Sequence, residues 1–308
     1  VPKERLFCIP GNHDIDRDRQ NMCFRGARAY LVNQSKIDSF LEGGEDWDTL
    51  IKRQENYRDF QASYFIGQPR TWTEDGLAYV STLMIGDVHV AILGLDSAWL
   101  SEGGLNDHGR LIIGERQVIN TINTVQDYSN PPHLIVGLAH HPFHLLQNFD
   151  RPPVQNRLEE ICHFFHCGNL HEVEVRMVKH SWTDCLTLSA GASFETCQWQ
   201  NTFLLITVNL FQAKRTIETF QYNPTKGKFS YQSSDEFPIE VKALGFCGVQ
   251  ELAQAIEKYS KVLCKWAHYL AALLLEQKAD LLVQSENKNA FGSLALLQSL
   301  PENELTQK

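Results

Sequence analysis

None of the eight cysteines (Cys8, Cys23, Cys162, Cys167, Cys185, Cys197, Cys247, Cys264) is spaced as Cys-x-x-Cys. That argues against zinc ribbons and thioredoxin-type redox chemistry. A chain of 308 residues buries a core without disulfide support, so the cysteines read as free thiols in a reducing, cytoplasmic setting. No apolar run reaches the roughly 18 to 20 residues that span a bilayer, and no signal peptide is visible, so no membrane association is expected. The chain opens at Val1 without Met, which leaves it open to being a fragment. Basic residues are in deficit, 28 Lys and Arg against 37 Asp and Glu for a net charge of −9. This argues against a broad basic surface for duplex nucleic acid. It does not exclude a nuclease, because a carboxylate-rich metal site engages one phosphodiester without a basic patch. What is present, 43% hydrophobic and 21% charged residues, fits one large globular domain or one domain with an appendage.

The apolar run Leu6-Phe7-Cys8-Ile9-Pro10 reads as a buried strand that ends in a turn. Residues 20 to 64 read as helical, interrupted at Gly43-Gly44, with Phe24, Tyr30, Leu31, Ile37, Phe40, Leu50, Tyr57 and Phe60 as inward candidates. Leu77 to Ile85 and Val88 to Leu95 read as a hairpin around Gly86-Asp87. An amphipathic helix is expected over Gly114 to Tyr128, stopped by Pro131-Pro132. Strands follow at His133 to Ala139 and Ile161 to Cys167, and alternating β-structure runs from Val173 to Tyr231. Strands with helices between them, then consecutive strands, suggest stacked sheets in an α/β sandwich. Beyond Phe237-Pro238, Leu252, Ile256, Tyr259, Leu263, Trp266, Leu270 and Leu273 form a heptad seam. Such a helix packs on its own domain or, over 251–277, pairs with a helical partner or a second copy of the chain.

Three segments rich in ligand-type side chains each follow a strand: Gly11-Asn12-His13-Asp14, His140-His141-Pro142, and Gly168-Asn169-Leu170-His171. Ligand-binding residues of α/β proteins favour such strand ends, where separate strands deliver side chains to one edge. Pro-Gly-Asn-His-Asp, His-His-Pro and Gly-x-x-His, in this order, resemble the last three signature motifs of the calcineurin-like metallophosphoesterases. The text is bacterial in type and resembles the cyclic-nucleotide phosphodiesterase branch. Leu95-Asp96-Ser97-Ala98-Trp99, Gly109-Arg110-Leu111 with Gln117, and Gly191-Ala192-Ser193-Phe194-Glu195 agree with it. The likeness covers roughly Leu6 to Tyr231.

The resemblance implies a four-layer αββα sandwich over 1–241, N-terminally truncated, and a helical extension over 242–308. It also implies two divalent metal ions, Mn, Fe or Zn. Asn12 and His140 would ligate one metal, and His171 with Asn169 the other. His13 would contact the phosphate and protonate the leaving oxygen, with Asp14 orienting its ring. Paired cations neutralise phosphate charge and lower the pKa of a bridging water, which attacks in line. Two departures stand out. Asn169 occupies a slot that is histidine in the family, and Asn is a neutral, weaker ligand. The opening motifs Asp-x-His and Gly-Asp-x-x-Asp, which supply the bridging carboxylate, have no counterpart before Gly11. Asp87-Val88-His89 matches the first by letters but lies between the third and fourth motifs, at a hairpin turn.

Arg17 and Arg19 read as phosphate clamps or as solvated loop charges. His141 and His144, beside the His140 loop, and Asp96 and Ser97, at a strand end, are candidates to face substrate or to support the residues that do. His163 and His166 read as core or edge histidines. The functional expectation is a metal-dependent phosphohydrolase acting on phosphodiesters, nucleotide or nucleic acid. The alternative is a catalytically impaired relative that serves as a binding or scaffold module. A third arrangement is a split protein whose opening motifs lie on another chain.

Overall fold

The computed structural model describes residues 2–19, 22–86, 88–129, 131–170, 172–179, 184–192, 201–210 and 212–239. The heptad segment and the whole extension expected over 242–308 lie outside the described residues, as does His171. The chain divides into two units, one comprising Val1–Thr207 with Thr216–Glu236 and the other Val208–Arg215 with Phe237–Lys308.

In the first unit, four short helices follow the Gly11 loop: α1 (Met22–Tyr30), α2 (Gln34–Leu41), α3 (Glu45–Ile51) and α4 (Glu55–Tyr64). Gly43 and Gly44 separate α2 from α3, where the sequence places the break. Asn33 caps α2, its Oδ1 accepting the Lys36 N–H at 3.0 Å, which satisfies one of the donors a helix start leaves open. Phe24, Leu31, Ile37 and Leu50 are buried in one cluster with Trp99 and Ile112, whereas Tyr30 and Phe60 remain exposed. Arg53, itself buried, lies over the Phe24 ring and donates to Ser101 O at 2.6 Å and Trp99 O at 3.3 Å. It ties the loop after the third strand to the helices.

The central sheet has seven strands: β1 (Arg70–Trp72), β2 (Ala78–Ile85), β3 (Val88–Leu95), β4 (Leu134–Leu138), β5 (Phe164–Cys167), β6 (Glu174–Lys179) and β7 (Asp184–Ser189). Their spatial order is β1-β2-β3-β4-β5-β7-β6. The sheet is mixed. β2 and β3 form the expected antiparallel hairpin, in register from Ala78 with Leu95 to Ile85 with Val88. β3, β4, β5 and β7 run parallel, and β1 and β6 close the two edges antiparallel. Parallel strands need crossover connections, which α5 (Glu115–Gln126) and α6 (Arg151–Ile161) supply. Their Val118, Val125, Val154 and Leu158 meet Leu93, Ile135 and Phe165 of the sheet in one apolar core. A second sheet of three strands has the order β10-β9-β8, from β8 (Thr202–Asn209), β9 (Lys214–Asn223) and β10 (Lys228–Pro238). No helix among the described residues is long and apolar enough to cross a membrane.

Two expectations about local structure need correction. Leu6 to Pro10 is not a strand. The edges of β2 and β3 are already paired, so the carbonyls of this run turn to side chains. Cys8 O accepts from Tyr79 Oη and from Gln61 Nε2, each at 3.1 Å, and Leu6 O from Arg70 Nη2 at 2.9 Å. Tyr79 reaches Cys8 because its ring crosses Gly94, where an added Cβ would come within 2.3 Å of the ring. The second correction concerns Ile161, which ends α6 and does not begin β5. Pro152-Pro153 occupies the first turn of that helix, where proline lacks no needed donor.

Candidate functional site

Because β3, β4, β5 and β7 are parallel, their C-terminal ends deliver Asp96-Ser97, His140-His141 and Gly168-Asn169 to one edge of the sheet. His89 sits at the opposite, N-terminal end of β3, buried against Tyr128. The sheet therefore separates Val88 and His89 from the other motifs.

The Gly11 loop joins this edge by direct contact. A Cβ on Gly11 would lie 2.9 Å from Nδ1 and Cε1 of His140, so only glycine lets the loop backbone approach the ring. Gly168 flanks the same residue: its N–H donates to His140 O at 2.8 Å, and an added Cβ would lie 3.5 Å from Nδ1. Asn12 is buried, and its Oδ1 has no hydrogen-bond partner. A buried amide oxygen left open costs about 1–3 kcal/mol, so it marks a position that accepts a donor or a cation. Asn169, next to Gly168, adopts a left-handed conformation with φ of +62°, which Asn, Asp and His tolerate better than other side chains.

The remaining candidates take distinct positions. His13 is exposed. Asp14 does not orient it: the carboxylate accepts the Gly11 N–H at 2.8 Å while the Asp14 N–H donates to Gly11 O at 3.0 Å. Asp14 thus closes the loop on itself, because a carboxylate three residues ahead meets the open N–H of the turn it terminates. Arg17 reaches back to Asn12 O through Nη2 at 3.2 Å and packs on Gly103. His141 is fully buried, perpendicular to the His140 ring at 4.7 Å. Ser97 Oγ accepts the His141 backbone N–H and lies 3.0 Å from its Nδ1. Burial, with His140 beside it, pushes the His141 pKa down to about 3, so the ring is neutral and braces the strand end without facing solvent.

Asp96 is also buried. Its Oδ1 accepts the Ala98 N–H at 2.7 Å, and burial lifts its pKa to about 6 against the opposing pull of Ala98, Gln54 and Arg58. The sequence places Ser97 with Asp96 at the active edge, and the structure makes His141 its partner; sequence reasoning missed Gly11 and Gly168 as the walls of His140.

Beside the loop runs a groove of about 640 Å³, lined on one side by His13 to Asp18 and on the other by Asn56, Tyr57 and Phe60. Among the described residues, no group of three or more His, Cys, Asp or Glu side chains is placed to hold a metal ion. Asn12, His140 and Asn169 contribute neutral donors alone. These residues do not by themselves fit a pair of divalent ions, whose shared charge calls for a bridging carboxylate.

No protein-family model and no curated protein matches the chain. Among solved structures it is similar to Vps29 of Chaetomium thermophilum, with 10% identity and a TM-score of 0.23 over 52% of this chain and 60% of that one. The chain spans about 60% of that protein's length, and a likeness at this level bears on neither fold nor activity.

Proposed function

We propose that this chain is the larger part of a phosphoesterase of the calcineurin-like type, acting on phosphodiesters once its metal site is completed by a carboxylate from outside residues 1–308. The architecture proposed with it is the four-layer αββα sandwich, N-terminally truncated. The observation that supports this reading most directly is the packing of Gly11 on the His140 imidazole beside the open Asn12 oxygen. Two segments far apart in sequence meet there with the amide and imidazole donors that the motifs call for, and Gly168 of a third flanks the same imidazole.

In this reading Asn12 and His140 hold one ion, Mn, Fe or Zn, and His171 and Asn169 belong to the second. Bound ions would supply charge neutralisation and an activated water. The chain's own residues do the rest. His13, free of hydrogen-bond duties and exposed, is available to pass a proton to the leaving oxygen. Asp14 and Arg17 hold the loop that presents it.

The donor set supports a second reading, a binding or scaffold module, because the described residues supply neutral ligands and no carboxylate. Elemental analysis and hydrolysis of bis(p-nitrophenyl) phosphate in manganese separate the two. The test uses the chain joined to the segment preceding it in its natural reading frame. About two ions per chain with turnover supports the enzyme; no ion and no turnover with any divalent metal leaves the scaffold.

A further inference from the structure

The groove beside His13 shares His13, Asp14 and Arg17 with the hydrolytic reading, but Asp16, Asp18, Asn56, Tyr57 and Phe60 give it a lining which that reading does not use. From the loop it receives Asp14, Asp16 and Asp18 against the single guanidinium of Arg17, so its wall is net negative. Asp14 is engaged with Gly11, and Asp16 with Arg19 at 3.0 Å and the Asp18 N–H at 3.1 Å. The Asp18 carboxylate is exposed. From α4 comes Phe60, a residue 42% exposed. That ring is held in place: it stacks on Tyr64 at 5.3 Å and 22°, and meets Phe65 edge-on at 5.8 Å. Tyr57 lies beside it at 6.3 Å, its hydroxyl bonded to Gln61. The exposed amide of Asn56 completes the wall.

We infer that this groove is a subsite for an uncharged, planar nitrogen heterocycle of the nucleobase class, stacked on Phe60 with its amino edge toward Asp18 and Asn56. An immobilised aromatic ring with part of its area open offers a flat apolar surface whose ordering entropy is already spent, the arrangement on which bases stack. With Asp16 paired to Arg19, Asp14 and Asp18 still face the one guanidinium of Arg17, and this net negative wall disfavours a group that brings further phosphates. A carboxylate and an amide at the rim match amino donors and mixed edges. The volume, about 640 Å³, is within the range of small-molecule sites. The identification of the occupant as the leaving-group side of the ester rests on the proposed role of His13; binding of the heterocycle does not.

The test is a ligand-observed NMR titration of adenosine into the full chain, without added metal. Adenosine should bind. Phe60→Ala should weaken it about tenfold, the scale of one stacked base. Phe60→Leu, which keeps apolar packing against Tyr64 and Phe65 but removes the π face, should also weaken it several-fold. Phe229→Ala, which truncates a similarly exposed residue outside the groove (39% exposed), should leave it unchanged. Inorganic phosphate should not displace the nucleoside. Absence of adenosine binding up to its solubility, equal binding by Phe60→Leu, or displacement by phosphate would each overturn the subsite. Adenosine binding without diester hydrolysis in the completed protein would sink the enzymatic reading and leave the groove intact.

Discussion

The imidazole of His140 occupies the space that a side chain on Gly11 would need, with Nδ1 and Cε1 both 2.9 Å from an added Cβ. Gly11→Ala must therefore push the ring or the loop aside. Overpacking of this kind costs typically about 1–3 kcal/mol, and that loss is expected in urea denaturation. An unchanged midpoint would show that the ring yields freely and that the loop is not pinned to β4.

The open oxygen of Asn12 leads to a different outcome. Replacing a buried, unpartnered polar group by a smaller apolar one removes a penalty of about 1–3 kcal/mol and creates a small cavity of comparable cost. In chelator, Asn12→Ala is expected to stay within about 1 kcal/mol of the parent by thermal or urea unfolding. A larger loss would mean that the oxygen is already engaged.

Asp14 separates a structural duty from an orienting one. Because its carboxylate accepts the Gly11 N–H, Asp14→Asn retains an acceptor and should be nearly neutral in stability. Asp14→Ala should cost about 1 kcal/mol, the net worth of one hydrogen bond. Equal losses in both variants would assign the effect to charge and not to the loop closure.

Asp150 provides the pH dependence. It is buried at the start of α6, and its carboxylate accepts the N–H groups of Ile113 at 2.8 Å and Gly114 at 3.1 Å. Burial raises its pKa from 3.8 to about 6, against the lowering effect of those two donors. Between these values the native state keeps a proton that the unfolded chain has released. Its stabilising contribution is therefore complete below 3.8 and lost as pH rises through about 6. Asp150→Asn lacks this titration. Relative to the parent, the variant should gain up to about 3 kcal/mol between pH 4 and pH 7, read from urea midpoints at the two pH values. A parent-to-variant difference that does not change with pH would refute the raised pKa.

Much of this architecture is legible in the residue order. The hairpin from β2 to β3 follows from apolar runs around Gly86, and the helical breaks from Gly43-Gly44 and Pro131-Pro132. Other elements are not legible, for identifiable reasons. β1 has three residues, too few for alternation to register. α6 carries Pro152-Pro153 in its first turn, a position where proline is tolerated but gives no periodic signal. Leu6 to Pro10 has the letters of a strand, but a strand exists only where a neighbour offers an unpaired edge. The exposure of Phe60 and Tyr30, both read as inward, depends on which face of a short helix meets the core. Periodicity over eight to ten residues leaves that open.

The sequence by itself determined the donor types and their order: an amide, an imidazole and a carboxylate after Gly11, histidines after the fourth strand, and an Asn after Gly168. Local chemistry and short spacing suffice for that. Only the tertiary structure decided which of these meet. Parallel pairing of β3, β4 and β5 puts their ends on one edge, and the missing side chain at Gly11 lets the loop reach His140. It also turned Asp14 toward the loop backbone, drew His141 into the interior against Ser97, and opened a groove lined by Phe60. Contacts between residues more than a hundred positions apart arise from how strands pair and cores pack, and no local pattern encodes them.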